Sequence, residues 1–209
     1  MNGSKDKQLE STPISKLFQE RLGFHNSFDE KKFKEWVFHP AMLFASDRKW
    51  WGDLGKRNRL HEGLDLCLFR DREGAIQYLE ENTKVTVIFS GKIVKVSEDF
   101  LGASVFVSHN NYERDGSRLH TIYGHVNPSE RIYTGEKLGE NDIIGTIADA
   151  RKNSESVHSH LHISVAWIPD SIKSQELGWQ IISHYPEVML LDPLRVIEFP
   201  YSIECVPVK

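Results

Sequence analysis

The stretch KVTVIFSGKIVKVSEDFLGASVFVSHNNYERDGSRLHTIYGHV, residues 84–126, decides the fold. Within it KVTVIF (84–89) and KIVKVS (92–97) alternate apolar and polar side chains, the period-two signature of strands that bury one face. Ser90-Gly91 between them predicts a turn or a bulge. GASVFVSH (102–109) and LHTIYGHV (119–126) flank NNYERDGSR, and the Asp115-Gly116 pair inside that segment predicts a β-hairpin with a longish loop. Working outward, LDLCLF (64–69), DIIGTIAD (142–149) and LHISVAWI (161–168) are further short β-type runs set off by turn residues. The chain therefore reads as mostly β and antiparallel, with helices at the periphery.

Those helices are expected in SKLFQERL (15–22), in FDEKKFKEWVF (28–38) and in IKSQELGWQIISHYP (172–186). LDPLRVIEF (191–199) reads as a final strand or sheet edge. One domain over 41–199 is the simplest division, preceded by a polar, partly helical extension over 1–40 and followed by a tail over 200–209. No internal repeat or low-complexity tract is visible.

A formal net charge of -4 gives no global reason to bind nucleic acid or an anionic membrane. The basic group Arg48, Lys49, Lys56, Arg57 and Arg59 is interleaved with Asp47 and Asp53, and reads first as a solvated loop, second as a contact for an acidic substrate group. The N-terminal residues lack the apolar run of a secretory signal or membrane span, so the sequence as it stands predicts a cytoplasmic chain, and an extracytoplasmic one if it is a trimmed form. Two cysteines, Cys67 and Cys205, exclude a disulfide framework, and Cys67 within LDLCLF is expected to be a buried, inert thiol.

Ten histidines are present, and five of them fall into three short patterns. In His61-Glu62-Gly63-Leu64-Asp65, residues four apart share a face of either a helix or a strand, so His61 and Asp65 can face one ion, and Gly63 leaves room for close approach. In His158-Ser159-His160-Leu161-His162, an extended backbone projects all three imidazoles from one face. In Thr121-Ile122-Tyr123-Gly124-His125, the histidine stands at a strand end. Each pattern alone is weak: a lone histidine is more often structural, and a His-rich run is often a solvated loop. Together they supply nitrogen and oxygen ligands from separate strands for a catalytic zinc with an open position, and leave histidines for proton transfer. Cysteine is absent from all three patterns, which favours a catalytic over a structural site. Imidazole with carboxylate suits zinc better than calcium or magnesium.

The three patterns, in this order, resemble those of the lysostaphin-like metallopeptidases, zinc endopeptidases that cut peptide cross-links in bacterial peptidoglycan. The resemblance runs from about Trp51 to Leu194 and includes GDLGKRNRLHEGLDL, FSGKIVKVS, FLGASVFVSH, HTIYGHV, GEKLGENDIIGTIAD, HSHLHISV and LDPLRV. It implies a compact antiparallel β-sheet with a groove along one face, the duplicated hybrid motif. It further implies one zinc per chain held by His61, Asp65 and His162, with His125 and His160 as the catalytic pair and His109 as a structural residue. The substrate implied is a peptide or peptidoglycan.

Two departures bear on one groove wall. The loop before His160 is ADARKNSESV (148–157) where the family is commonly glycine-rich, and Ile163-Ser164 stands where an aromatic and an acid are common. His158 has the spacing to compete for the metal and is expected to be a bystander or substrate contact. Glu62 is expected to point away from the metal. His25 or His39, on a segment lying over the groove, would be the residues able to reach the open position. The competing reading is a peptide-binding or regulatory member of the same fold without chemistry, and a further one is a peptidase of another peptide.

Overall fold

The computed structural model describes residues 12–150 and 157–206. In chain order its elements are α1 (Phe18–His25), β1 (Phe33–Phe38), β2 (Leu64–Leu66), β3 (Leu68–Asp71), β4 (Ile76–Tyr78) and β5 (Lys84–Thr86). They continue as β6 (Gly91–Glu98), β7 (Ala103–Arg114), β8 (Ser117–Pro128), β9 (Lys137–Leu138), β10 (Ile143–Ile147) and β11 (Leu161–Pro169). The last are α2 (Trp179–His184), β12 (Met189–Leu191) and β13 (Tyr201–Ile203). The fold is mostly β and antiparallel, as the sequence predicts.

The large sheet follows the order β12-β11-β8-β7-β6-β9, with β2 on β11 and with β10 joining β8 to β5. Its centre is the β7–β8 hairpin, which is longer than the sequence suggests. Arg114 pairs with Ser117, so the loop is only Asp115-Gly116, both at positive φ (49° and 72°), the two-residue turn that matches strand twist. NNYER and SR are strand, accommodated by a register shift between His109 and Glu113. At Val87–Ser90 the chain leaves one neighbour for another: β5 pairs with β10, whereas β6 pairs with β7 and β9.

A small sheet, β13-β1-β3-β4, lies beside the large one. FDEKKFKEWVF is thus not helical throughout, since Phe33–Phe38 is a strand held between β3 and β13. Its three consecutive large residues Trp36, Val37 and Phe38 are all fully buried, and aromatic and β-branched side chains suit a sheet covered on both faces. Phe28, Phe33, Trp36 and Phe69 stack there with ring centroids 5.2–6.5 Å apart. LDPLRVIEF is not a strand either. Asp192 caps a 3-10 turn over Pro193–Arg195 by accepting from Leu194 N–H at 3.0 Å, the local preference of an Asp-Pro pair. Of the expected C-terminal helix, only Trp179–His184 is helical.

β11 is buried almost end to end because both of its faces are covered. Leu161, Ile163, Val165 and Trp167 enter the main core, whereas Ala166 and Ile168 enter a second cluster with Phe106, Ile122 and Ile182 of α2. His160 and His162 share the second face, so α2 and the histidines lie on the same side of the sheet.

A buried polar chain ties the Val87–Ser90 crossover to the hairpin. Ile88 N–H donates to Tyr123 Oη (2.7 Å), which lies 3.1 Å from Thr121 Oγ1. Thr121 Oγ1 lies 2.9 Å from His109 Nε2, and His109 Nδ1–H donates to the Ser90 carbonyl (2.9 Å). A carbonyl only accepts, so His109 carries its proton on Nδ1 and receives the Thr121 hydroxyl proton on Nε2. His109 is structural in this arrangement. Burial pushes its pKa down to about 4, against about 6.5 in the unfolded chain. The unfolded state therefore takes up the proton first, and stability present above about pH 6.5 is lost as pH falls toward 4. In metal-free protein, urea unfolding should lose about 2 kcal/mol less between pH 7.5 and 4.5 in His109→Gln than in the wild type. Equal losses would show that His109 is not a source of the pH dependence.

Candidate metal centre

Three donors come together where β2 meets β11. His162 is paired across the sheet with Asp65, which places both side chains on one face, and His61 precedes β2 by three residues. His61 Nε2, Asp65 Oδ1 and His162 Nδ1 form a triangle with sides of 3.1, 2.8 and 3.1 Å. All three residues are buried.

The outer atoms of these side chains are already engaged. His61 Nδ1–H donates to the Leu43 carbonyl (2.9 Å), which leaves Nε2 as a bare lone pair aimed at the other two donors. His162 Nε2 lies 2.9 Å from Ser164 Oγ, so Ser164 occupies the place where an acid is common. Asp65 Oδ2 accepts from the Trp50 indole N–H at 2.7 Å and faces Arg57 Nη2 at 3.6 Å. Burial pushes His162 below the ordinary imidazole value and His160 down to about 3, so both are neutral at pH 7. Burial alone would raise the Asp65 carboxyl, but the histidines around it hold it well below the usual carboxylate range. One carboxylate oxygen and two imidazole nitrogens converging within 2.8–3.1 Å of one another could together hold a metal ion. A tetrahedron with bonds near 2.0–2.1 Å has edges of about 3.3 Å, so the triangle fits zinc with little movement.

Gly63 makes the approach possible. A Cβ there would lie 2.1 Å from the Ile163 carbonyl oxygen and 2.8 Å from His162 Nε2. Because the obstacle is backbone, β2 and β11 would have to separate.

The other two sequence-selected histidines face the same cavity, of about 320 Å³. His160 Nδ1–H donates to the His158 carbonyl (2.7 Å), its ring meets Trp50 edge-on at 5.0 Å, and its Nε2 stands 3.8 Å from Asp65 Oδ1. His125 lies with its ring centroid 4.8 Å from that of His160 and 5.9 Å from that of His162. The structure thus brings His61, Asp65, His125, His160 and His162 together. Trp51, Phe100 and Trp179 give the cavity aromatic lining, and Arg57 and Glu62 also line it.

Other expectations come out differently. Arg57 is not part of a solvated loop: its side chain is 14% exposed, its Nε–H donates to the Arg48 carbonyl (2.9 Å), and it stacks on Trp51 at 4.5 Å. Lys49 and Lys56 do behave as solvated residues, beside Asp53 and Asp47. Glu62 lines the cavity, yet its carboxylate accepts from Ser183 Oγ of α2 at 2.7 Å. His158 turns away because the strand begins only at Leu161; its ring packs on Tyr78 at 4.6 Å and lines a separate hollow. His39 accepts from Ala41 N–H, His25 contacts Asn141, and neither lines the cavity. Residues 1–11, and 151–156 of the loop before His158, lie outside the described residues. Cys67 is buried and Cys205 exposed, both as free thiols, and burial pushes the Cys67 thiol up.

Asp99 and Trp50 were not singled out by sequence. Asp99 sits in a loop 26 residues from His125, and no local spacing relates the two.

Fold and site together define an antiparallel β-sheet protein whose groove ends in a cluster of two histidines and one carboxylate, with two more histidines at hand. The chain belongs to peptidase family M23, the lysostaphin-like family: the model of that family matches residues 71–174. It is by class a peptidase, a hydrolase of peptide bonds. The matched span contains His125, His160 and His162, whereas His61 and Asp65 lie just upstream of it. No protein with a curated description matches the sequence. Among solved structures, LytU is 15% identical, with a TM-score of 0.43 over 75% of this chain and 83% of that one. A catalytic-domain mutant of the prophage-encoded M23 protein EnpA from Enterococcus faecalis is 17% identical, with a TM-score of 0.40 over 75% of this chain and 92% of that one. Among the described residues, no helix is long and apolar enough to cross a membrane.

Gly63→Ala should lower the unfolding free energy by about 3 kcal/mol, because the added carbon overpacks a backbone contact. A variant as stable as the wild type in urea unfolding would mean that the two strands are not in this close register.

Proposed function

We propose that the chain is a zinc metalloendopeptidase that hydrolyses peptide bonds in peptidoglycan stem or cross-link peptides. The observation that carries this reading is the convergence of His61 Nε2, Asp65 Oδ1 and His162 Nδ1 within a cavity that also receives His125 and His160. These three residues would hold one zinc per chain. When bound, zinc supplies a Lewis acid that makes a water nucleophilic near neutral pH and polarises the scissile carbonyl.

The remaining chemistry belongs to side chains. His160 donates its Nδ1 proton to a carbonyl and keeps Nε2 bare toward the cavity, so it accepts the proton of the attacking water. His125, its ring centroid 4.8 Å from that of His160, stabilises the oxyanion or protonates the departing amine. Trp50 fixes the outer oxygen of Asp65 and thereby the direction of the inner one. Family membership supports a peptide or peptidoglycan substrate, and the cavity, with Trp51, Phe100 and Trp179 in its wall, suits a peptide lying across it.

His160→Ala and His125→Ala should each keep zinc at one per chain while losing roughly 100-fold or more in hydrolysis of a glycine-rich or D-amino-acid-containing peptide. Full activity in both would sink the assignment. Asp65→Ala should lose zinc on purification, and unchanged stoichiometry would remove Asp65 from the ligand set. Trp50→Phe keeps an aromatic ring at this position and removes the N–H that Asp65 accepts. Chelator competition should show zinc bound roughly 10- to 100-fold more weakly, and an unaltered affinity would deny Trp50 that role. A zinc-loaded wild type that binds peptidoglycan and cleaves nothing would favour the peptide-binding reading.

A further inference from the structure

His125 differs from the other histidines of the cluster in how its backbone is held. It sits at the point where β8 changes partner, because pairing with β11 ends at Gly124 and pairing with β10 begins at Val126. Its φ is 62°, in the left-handed region, which is uncommon for a residue with a side chain and persists only where the surroundings impose it. Both of its backbone groups are engaged: N–H donates to Asp99 Oδ2 at 2.9 Å, and the carbonyl accepts from Ala148 N–H at 2.9 Å. The imidazole Nδ1 then stands 3.1 Å from Asp99 Oδ1. One carboxylate grips both the backbone and the ring of the same histidine.

Asp99 is itself rigidly placed. Its side chain is 4% exposed. Oδ1 also accepts from Leu101 and Gly102 N–H at 3.0 and 2.8 Å, and Oδ2 accepts from Ser104 Oγ at 2.7 Å. The Trp179 indole N–H donates to Ser104 Oγ at 3.0 Å, which commits the Ser104 proton to Asp99. Every hydrogen at this carboxylate comes from the surroundings, so Asp99 can only accept, and the His125 Nδ1 facing it must carry a proton. Phe100 packs edge-on against the His125 ring at 5.3 Å and limits its swing on the solvent side.

We propose that Asp99 is a positioning residue for His125: it locks the strained backbone at the strand switch and fixes the proton on Nδ1, so that Nε2 is presented to the substrate. The proposal rests on the reading of His125 as one of the two catalytic histidines. It separates the pair. His125 is backed by a carboxylate, whereas His160 is backed by a neutral carbonyl.

The deciding measurement is the nitrogen-15 spectrum of the imidazoles in the zinc-loaded wild type. His125 should show a protonated, hydrogen-bonded Nδ1. A neutral ring protonated on Nε2 alone would overturn the proposal, and this reading needs no variant. In Asp99→Asn the amide cannot accept at every contact, so the protonated Nδ1 signal should be lost. Turnover should fall about 100-fold or more while KM stays within roughly threefold and zinc stays at one per chain. A folded, zinc-bound Asp99→Asn that turns over at the wild-type rate would equally overturn it. If Asp99→Asn does not fold, the wild-type spectrum decides. A wild type that cleaves no peptide would sink the proposed activity, and the spectrum would still judge Asp99.

Discussion

The pairing of β2 with β11, which sets Asp65 directly across from His162, is the contact on which the rest of the site depends. Two strands far apart in sequence place a carboxylate and an imidazole on one face, and His61 closes the triangle from the loop before β2. Close approach there requires Gly63, and burial requires that the converging lone pairs be matched by positive charge. Arg57, 3.6 Å from Asp65, supplies part of that charge, and the cluster could hold a metal ion as well. Trp50 and Arg57 hold the far side of Asp65, Leu43 and Ser164 the far sides of the histidines, so the three side chains are pre-aimed at one another.

Much of this was legible in the sequence, for identifiable reasons. The alternation in 92–97 survives in β6, and the runs that flank Asp115-Gly116 survive as β7 and β8, buried on both faces at their centres. His61, Asp65, His125, His160 and His162 could be selected because each pattern is local and the patterns recur in order. What was not legible depends on distant partners. Phe33–Phe38 is a strand because β3 and β13 lie on either side of it, and its own residues also suit a helix. Arg57 looks like one more cation in a basic loop until Trp51 and Asp65 enclose it. His158 follows the spacing of His160 and His162, yet escapes their face because the extended strand starts three residues later.

Asp99 shows the same limit at the site itself. An aspartate in a turn between strands is ordinarily a turn residue, and Asp99 is one, accepting from Leu101 and Gly102. Its second task, gripping His125, arises only where β8 leaves β11 for β10 and its backbone must turn through a left-handed residue. Strain at the strand switch and order in the cavity thus have one source.

The central claim is that two imidazoles and one carboxylate of this chain form a zinc site with an open position. X-ray absorption at the zinc edge of purified protein tests it most directly. The expected spectrum is four nitrogen or oxygen neighbours at about 2.0–2.1 Å, two of them imidazole, with no sulfur. A chain that retains no zinc, or a first shell of three or more imidazoles or of any sulfur, would contradict it.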